Sequence, residues 1–316
     1  MNADSAPGGP ETTVRAALRA RDATRALADA TLEPVPGGLS NYAWKAEHGG
    51  RSWFVRLGGP ESATLGVDRW SECALLGLVS SAGLAPPLIA CEPANGLLVT
   101  HFIPGETWRR EDAHQARNIE RVAERLRVLH GLVAPTDVGI VDFAARARSL
   151  EAQLRATAPL PASSPGAGAG VEELIHAARA REEEILGNAA AAIELLDSRR
   201  SPLVPCHNDL HHLNLVDDGD RLWIVDWEYG GVGDPLFDLA SLACQHEYTG
   251  SERAALLDAY DRGAGMEATM LDAACTVFDC VQWLWYLAWA ARNPAAGHEC
   301  ATRATVLAGR LAASGR

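Results

Sequence analysis

One segment constrains this 316-residue chain more than any other: CHNDLHHLNLVDDGDRLWIVDWEYGGVGDPLFDLA, at residues 206–240. It sets His, Asp, Asn and Glu side chains between apolar residues in a short stretch. A hydrophobic core excludes ionisable groups that lack partners, and a solvated face would not alternate with apolar residues in this way. The pattern therefore indicates loops and short strands that present polar groups at a functional site.

The spacing within this segment suggests a division of labour among three side chains. Asp209 and Asn214 lie in a loop that precedes a strand, and the run LWIVD delivers Asp226 at the end of the next strand. If the DDGD turn joins these strands side by side, Asn214 and Asp226 come together. An amide oxygen and a carboxylate suit Mg²⁺ with phosphate oxygens, while Asp209 can hold a substrate hydroxyl and accept its proton. This arrangement is that of protein-kinase-type phosphoryl transfer.

Features of a nucleotide site lie upstream of this segment. The stretch PGGLSN offers glycines for close backbone approach to phosphate and polar side chains that can donate hydrogen bonds. Its candidate residues are Gly37, Gly38, Ser40 and Asn41. Arg56 follows on a predicted strand, where a cation would meet the α- and β-phosphates, and Glu72 on the next helix is placed to pair with it. The chain contains neither GxxxxGK[ST] nor GxGxxG, which excludes the P-loop and dinucleotide patterns.

Periodicity divides the chain into a β-rich part and a helical part. The elements predicted in the β-rich part are a leading helix at 11–30, strands at 42–47, 52–57, 88–92 and 96–103, and a helix at 68–83. After PGETW the pattern is mostly helical, with a Pro/Ala/Gly/Ser stretch at 159–170 that is typical of a linker or insertion loop. We therefore predict an α+β protein with a nucleotide-binding part at 1–102 and a catalytic and acceptor-binding part at 103–316.

Charge and composition exclude several classes of partner. The net charge is −13, and lysine and arginine form no dense run, which argues against nucleic-acid and anionic-membrane binding. The most apolar run, CVQWLWYLAWAA at 280–291, is too short to span a bilayer, and the first residues show no signal-peptide pattern. The seven cysteines are odd in number and include no CxxC pair, so we expect reduced thiols and a cytoplasmic location.

These motifs together resemble the choline/ethanolamine kinase family, within the aminoglycoside-phosphotransferase-like superfamily. The resemblance runs over about residues 31–245 and is carried by GGLSN, FVRL, DRWSE, VTHFIPG, LHGL, HNDLHHLN and IVDWEYGGVGDPLFDLA. It implies a two-lobed protein-kinase-like fold, with a small β-rich lobe and a larger helical lobe, and ATP and Mg²⁺ as cofactors. Arg56 matches the family's arginine. Adenine is implied at the connection at 100–103, which makes Thr100 and Phe102 candidate nucleotide contacts.

The resemblance also implies roles for the residues of the opening segment. Asp209 corresponds to the catalytic base, and Asn214 and Asp226 correspond to the magnesium ligands. Glu228 matches the last residue of the family's Asp-aromatic-Glu pattern, which implies that it assists the metal site.

An aromatic cluster on a predicted C-terminal helix has two interpretations. At helical spacing Trp285 and Trp289 share a face, as do Tyr286 and Trp289. Such a stripe is commonly core packing, but aromatic faces also bind quaternary ammonium groups. Choline kinases resemble this arrangement with a W-x-x-W spacing, and here tyrosine stands in the first place. If the rings form a cation box, Glu247 could complete the acceptor pocket.

The sequence therefore favours an ATP- and Mg²⁺-dependent kinase that phosphorylates a hydroxyl of a small molecule, with choline or a related amino alcohol as the first choice. An alternative keeps the enzyme class and changes the acceptor to thiamine, an aminoglycoside or another small alcohol. A second alternative is a nucleotide-binding pseudokinase that acts through partners. The presence of Asp209, Asn214 and Asp226 argues against it.

Overall fold

An antiparallel sheet of five strands, in the order β1-β2-β3-β5-β4, underlies the β-rich part of the computed structural model. The strands are β1 (Thr31–Pro34), β2 (Asn41–His48), β3 (Arg51–Gly58), β4 (Leu88–Glu92) and β5 (Leu97–His101). β2 and β3 pair along their whole length and turn over Gly49 and Gly50, whose φ angles are 56° and 73°. Two successive left-handed residues suit the tight turns that join twisted strands, which explains the glycine pair.

The structure describes residues 9–36, 41–59, 66–156, 169–199, 201–263, 265–293 and 297–313. The chain divides into two compact units, neither of them continuous in sequence. The first unit comprises Met1–Ile140 and Val204–Val232, and the second comprises Val141–Leu203 and Gly233–Arg316. The boundary expected near residue 102 stays a prediction.

One face of the sheet carries the apolar core of the first unit. Trp44, Val55 and Val99 are cross-strand partners, so their side chains point to the same face. Val14 and Leu18 of helix α1 (Pro10–Arg19) pack on that face and are fully buried. Burial of apolar surface therefore fixes which side of the sheet remains for polar residues.

The leading helix is shorter than the sequence predicts, and this part of the prediction is wrong. Instead of one helix at 11–30, α1 ends at Arg19 and a 3₁₀ turn follows at Arg25–Asp29. The Thr24 hydroxyl donates to the Leu18 carbonyl at 2.9 Å, which an uninterrupted helix would use for its own ladder. Threonine competes for backbone groups in this way, and the apolar period does not reveal it.

Helix α2 (Arg69–Ser81) begins and ends close to where the sequence predicts. The Asp68 carboxylate caps its first turn by accepting from the amides of Trp70 and Ser71 at 3.0 and 3.2 Å. Gly83, with φ of 67°, takes the left-handed conformation that stops the helix.

Two cysteines form a disulfide, so the expectation that all seven are reduced is wrong. Cys73 of α2 is bonded to Cys91 of β4, with the Cα atoms 5.5 Å apart. The two cysteines are separated by 18 positions and so do not form a CxxC pair. The packing of α2 beside β4 brings them together. The five other cysteines are buried thiols: Cys206, Cys244, Cys275, Cys280 and Cys300.

Two small sheets complete the first unit together with helix α3 (Ala116–His130). One has the order β6-β8-β9 and the other joins β7 to β10. Their strands are β6 (Glu106–Thr107), β7 (Val204–Cys206), β8 (Leu215–Asp217), β9 (Leu222–Ile224) and β10 (Gly231–Gly233). Arg121 of α3 makes a bidentate ion pair with Asp217, at 2.5 and 2.9 Å, and so fixes α3 to β8.

In its described residues, the second unit has helices as its regular elements, apart from Gly233 at the end of β10. They are α4 (Phe143–Ala156), α5 (Ala169–Arg179), α6 (Glu182–Asp197), α7 (Leu236–Gln245), α8 (Gly250–Asp261), α9 (Ala268–Arg292) and α10 (His298–Ala313). The α+β class is thus as predicted. Among the described helices, none combines the length and the hydropathy needed to cross a bilayer.

Candidate functional site

The hairpin of β8 and β9 brings Asn214 close to the residue that precedes Asp226. The strands pair with Leu215 opposite Ile224, and the amide of Val225 donates to the Asn214 carbonyl at 3.0 Å. Asn214 directly precedes β8, and Asp226 follows the last residue of β9 by two positions, so both lie at the same end of the hairpin. The side-by-side strands predicted from the DDGD turn are present.

The Asn214 side chain is oriented by its amide nitrogen. Its Nδ2 donates to the Asp209 carbonyl at 2.9 Å and lies 3.2 Å from Nε2 of His211. Only 4% of the residue is exposed. Because the nitrogen is directed to the Asp209 loop, Oδ1 is the amide atom turned away from that carbonyl.

The His207 imidazole connects the loop that carries Asp209 to the residue that follows β9. Its Nδ1 accepts from the Asp209 amide at 3.3 Å, so Nε2 carries the hydrogen and donates to the Val225 carbonyl at 2.9 Å. The imidazole is fully buried and packs edge-on against Trp227 at 4.7 Å between centroids. These contacts agree with a packing and hydrogen-bonding role for His207. The Asp209 side chain keeps 26% of its surface exposed, with His211 Nε2 3.8 Å away.

Two residues of the site adopt left-handed backbone conformations. Asn208 has φ of 66° and Asp226 has φ of 63°. Such angles are uncommon outside glycine and cluster at functional sites. The Asn208 side chain donates to the Tyr229 carbonyl at 3.0 Å and holds the two loops together. No feature of the sequence predicts that these two residues have left-handed φ angles.

Arg56 and Glu72 form a buried bidentate ion pair. Nη1 and Nη2 of Arg56 donate to the two Glu72 oxygens at 2.6 and 2.8 Å, and the residues are 3% and 0% exposed. Burial opposes both charges, but the pair outweighs it, so the pKa of Arg56 is raised and that of Glu72 is lowered. Arg56 Nη1 also lies 3.8 Å from Asp226 Oδ1. The pair is therefore close to Asp226, in the loop that follows β9.

The Asp226 carboxylate lies in a field that disfavours its charge. Its pKa is raised, first by loss of hydration and then by repulsion from Glu228, while Arg56 opposes the rise. The side chain nevertheless keeps 45% of its surface exposed, so water offsets part of the dehydration. A carboxylate with repelling neighbours and an open face is suited to a cation. Carboxylate oxygens such as those of Asp226, and amide oxygens such as Asn214 Oδ1, are ligand types that Mg²⁺ prefers.

The sheet face opposite the apolar core carries two of the predicted nucleotide residues. Lys45, Phe54 and Thr100 are cross-strand partners, and Arg56 follows Phe54 by two positions, so all four side chains share this face. Thr100 is 4% exposed. The Lys45 ammonium lies 5.2 Å from the centre of the Phe102 ring. Of the residues predicted from PGGLSN, Gly37, Gly38 and Ser40 lie outside the described residues.

An arginine that the sequence analysis did not single out joins several candidate residues. Arg69 donates from Nη1 to Glu72 Oε2 at 2.7 Å and to Glu228 Oε2 at 3.3 Å, and from Nη2 to Asn41 Oδ1 at 2.6 Å. Asn41 Nδ2 in turn donates to Glu228 Oε2 at 2.8 Å. The i, i+3 spacing of Arg69 and Glu72 in DRWSE was a signal for one of these contacts, and the others are long-range.

The aromatic residues predicted for the acceptor lie on α9, in the second unit. Trp285, Tyr286 and Trp289 are half-buried and pack against a cluster formed by Val171, Ala290, Cys300 and Ala301. The guanidinium of Arg303 lies 5.8 Å over the Tyr286 ring and donates to its hydroxyl at 3.2 Å. These contacts favour packing for the inner faces of the rings.

Glu247, the fourth acceptor candidate, lies just beyond α7. Its side chain is 61% exposed, with an oxygen 3.7 Å from Arg310 Nη1. Its backbone is left-handed, with φ of 56°. A carboxylate this open is accessible to a cationic ligand, but its contact with Arg310 satisfies part of its charge.

The sequence profile of the phosphotransferase enzyme family matches residues 31–274. A segment of 40 residues is 55% identical to protein LicA of Haemophilus influenzae, and it covers 13% of this chain and 15% of that protein. Choline/ethanolamine kinase of Homo sapiens is 24% identical over 236 residues, which cover 69% of this chain. The chain spans only 56% of the length of the human protein.

A solved structure agrees with the chain over almost its whole length. It is that of a choline/ethanolamine kinase family protein from Mesorhizobium loti, with a TM-score of 0.68 and 26% identity, covering 96% of this chain and 97% of that one. The two-lobed protein-kinase-like α+β fold expected from the sequence is thereby confirmed.

Proposed function

The chain belongs to the phosphotransferase enzyme family, and we propose that it is a kinase that transfers a phosphoryl group from ATP, with Mg²⁺, to a hydroxyl of a small molecule. The observation that carries this proposal is the convergence of Asp209, Asn214 and Asp226 on one loop and one hairpin. These three side chains span 17 positions in sequence and would serve one reaction centre.

Asn214 and Asp226 would hold Mg²⁺, with Glu228 assisting. The bound ion would neutralise charge that develops on the transferring phosphoryl group. The orientation of the Asn214 amide supports this role, because its nitrogen bonds to the Asp209 carbonyl and Oδ1 is turned away from it. The open face of Asp226 also supports it.

Asp209 would bind the acceptor hydroxyl and take its proton. The hydroxyl oxygen forms a bond to the γ-phosphorus, the bond between that phosphorus and the bridging oxygen of ADP breaks, and the proton passes to an Asp209 oxygen. The contacts that Asn214 and His207 make with the Asp209 backbone would keep this carboxylate in position.

On the nucleotide side, Arg56 would contact the α- and β-phosphates and Glu72 would orient it. Asn41 borders the glycine-rich stretch that would cover the phosphates, and Thr100 and Phe102 would flank adenine. The shared sheet face of Arg56 and Thr100 supports this layout.

For the acceptor, we propose choline or a related amino alcohol. The names of the curated and structural relatives support this choice, as does the concentration of aromatic rings on α9. Trp285, Tyr286, Trp289 and Glu247 would contribute to the ammonium site through the ring faces that packing leaves accessible. Thiamine, aminoglycosides and other small alcohols are the competing acceptors.

The acceptor is tested with a panel assayed by coupled detection of ADP. We expect kcat/KM for choline or ethanolamine to exceed that for thiamine and for aminoglycosides by at least about tenfold. Preference for thiamine or an aminoglycoside would replace the acceptor and leave the kinase. Nucleotide binding without turnover of any acceptor would instead favour the pseudokinase.

If Trp289 lines the acceptor site, replacing it with leucine should raise KM for choline by about 2- to 30-fold, the equivalent of a cation–π contact of about 0.5–2 kcal/mol. KM for ATP should stay unchanged. Trp283 provides the control, because it lies on the same helix but is fully buried and donates to the Ala178 carbonyl at 3.2 Å. Trp283→Leu should lower the melting temperature without this selective effect. Equal choline KM values in Trp289→Leu and wild type would leave these rings with packing alone.

Glu72→Gln should raise KM for ATP by about 10–100-fold, because Arg56 loses charge-assisted hydrogen bonds worth about 1.5–3 kcal/mol. KM for the acceptor should change little, and initial rates over a grid of both substrates separate the two. Glu182→Gln is the control, since Glu182 also pairs bidentately with an arginine, Arg179, at 2.6 and 3.2 Å. Unchanged KM for ATP and kcat in Glu72→Gln would reduce the buried pair to a structural role.

A further inference from the structure

Arg69 connects three segments that the proposed reaction needs in register. Its guanidinium donates to Asn41 at the start of β2, to Glu72 on α2 and to Glu228 in the loop after β9. The side chain is only 10% exposed. We propose that Arg69 is a positioning residue. It holds Asn41, at the start of β2, and Glu228, in the loop after β9 that also carries Asp226, in a fixed position relative to each other. The proposal rests on the proposed kinase function.

Glu228 is held from two directions by this network. Asn41 donates to its Oε2 at 2.8 Å and Arg69 donates to the same atom at 3.3 Å, and the residue is 6% exposed. Asn41 adjoins the glycine-rich stretch, and Glu228 follows Asp226 by two positions. A displacement of Arg69 would therefore move both Asn41, next to the proposed phosphate-binding stretch, and Glu228, next to the proposed metal ligand Asp226.

The same guanidinium also acts on the Arg56–Glu72 pair. Glu72 Oε2 accepts from Arg69 at 2.7 Å and from Arg56 at 2.8 Å, so one oxygen is shared by two guanidinium groups. The network sets two guanidinium groups against three carboxylates, those of Glu72, Asp226 and Glu228, so each cation is needed. Without Arg69, these three acidic groups would face Arg56 alone, and the repulsion between Glu228 and Asp226 would be less compensated.

The position of Arg69 in its helix is otherwise unfavourable. It is the first residue of α2, where the positive end of the helix dipole repels a cation. Gly96, with φ of 66°, adjoins it, and a Cβ there would lie 3.3 Å from Arg69 Nε. The three hydrogen bonds of Arg69 therefore offset an unfavourable position at the start of the helix. The planar fork of arginine can meet three acceptors, which the point charge of lysine cannot reproduce.

The test measures equilibrium binding of a non-hydrolysable ATP analogue by calorimetry, once with Mg²⁺ and once with a chelator. For Arg69→Met we expect Kd with Mg²⁺ to rise by about 10–100-fold, the usual effect of losing a residue that orients a metal ligand. Kd without Mg²⁺ should rise by a smaller factor, because the analogue then lacks the ion that Glu228 serves and only the contacts with Asn41 and Glu72 remain to be disturbed. KM for the acceptor should be unaffected.

Three further variants separate charge from geometry and direct from indirect action. Arg69→Lys should bind the Mg²⁺ complex nearly as weakly as Arg69→Met, because lysine keeps the charge but not the three bonds. In the double variant Arg69→Met/Glu228→Gln the loss should not exceed that of the more damaging single change, since the two residues act through each other. Arg69→Gln, which keeps two N–H donors, carries the same comparison if the methionine variant does not fold.

Arg121→Met is the matched control. Arg121 also pairs bidentately with a carboxylate of the first unit, yet none of its bonds reaches Asn41, Glu72 or Glu228. It should lower the melting temperature and leave both Kd values unchanged. Arg69→Met with an unchanged Mg²⁺-dependent Kd would overturn the proposal, and so would equal losses with and without Mg²⁺, which would limit the role of Arg69 to phosphate binding. A wild-type protein that binds no ATP analogue would instead remove the proposed function.

Discussion

Asp209→Asn should lower kcat by about 10²–10⁴-fold, the usual cost of removing a positioned base. Asparagine keeps the shape of the side chain and cannot accept the proton that leaves the acceptor hydroxyl. The backbone contacts that orient residue 209, from Asn214 and His207, do not involve the altered carboxylate. The loop should therefore stay in place, and calorimetry should give an unchanged Kd for the nucleotide. Initial rates at saturating ATP and acceptor measure the loss.

Asp220→Asn makes the same chemical change in the exposed turn between β8 and β9 and should keep full activity. The pH dependence adds a second readout. If Asp209 is the base, the acidic limb of the wild-type rate profile should disappear in the variant. A kcat within tenfold of wild type would show that the proton leaves by another route, with His211 Nε2, 3.8 Å from Asp209, as the first group to examine.

Asp226→Asn should lower kcat by about 10³-fold or more, because the ion that neutralises the transferring group is worth several kcal/mol in the transition state. Asparagine is preferable to alanine here. The backbone at this position is left-handed, with φ of 63°, and asparagine tolerates that conformation while alanine does not. The loss can then be attributed to the carboxylate rather than to a displaced loop. Turnover as a function of Mg²⁺ concentration is the measurement.

Binding of Mn²⁺, followed by electron paramagnetic resonance in the presence of a nucleotide analogue, gives a readout independent of turnover. Asp226→Asn should weaken it, whereas Asp218→Asn, in the neighbouring turn, should not. Near-normal activity of Asp226→Asn at saturating Mg²⁺ would remove the metal assignment. Lost activity with unchanged Mn²⁺ binding would assign Asp226 to phosphate orientation instead.

The sequence predicts this site best where the relevant contacts are local or follow from strand pairing. The DDGD turn implies a hairpin, and the hairpin brings Asn214 to the strand end that carries Asp226. The Arg56–Glu72 pair follows in the same way from a strand and the helix after it. In each case a short connection limits where the second residue can lie.

The sequence fails where a contact depends on packing between distant segments. Arg69 meets Glu228 across 159 positions, and no periodicity encodes that contact. The Cys73–Cys91 bond depends on how α2 lies beside β4. The end of α1 depends on one hydroxyl, that of Thr24, which competes for a backbone carbonyl. Hydrophobic patterning selects elements and their buried faces, but it does not specify which polar groups meet at the edges.

The left-handed angles at Asn208 and Asp226 have a consequence for engineering this protein. A left-handed backbone costs most residues about 1–3 kcal/mol and costs asparagine and aspartate less, and glycine adopts it most readily. Glycine at position 226 would also delete the carboxylate on which the proposed reaction depends. A campaign that ranks variants by melting temperature alone would therefore enrich glycine at this position and gain thermostability by discarding turnover. Thermostability and activity are opposed at this residue, so a library that varies the loop after β9 has to be selected for both.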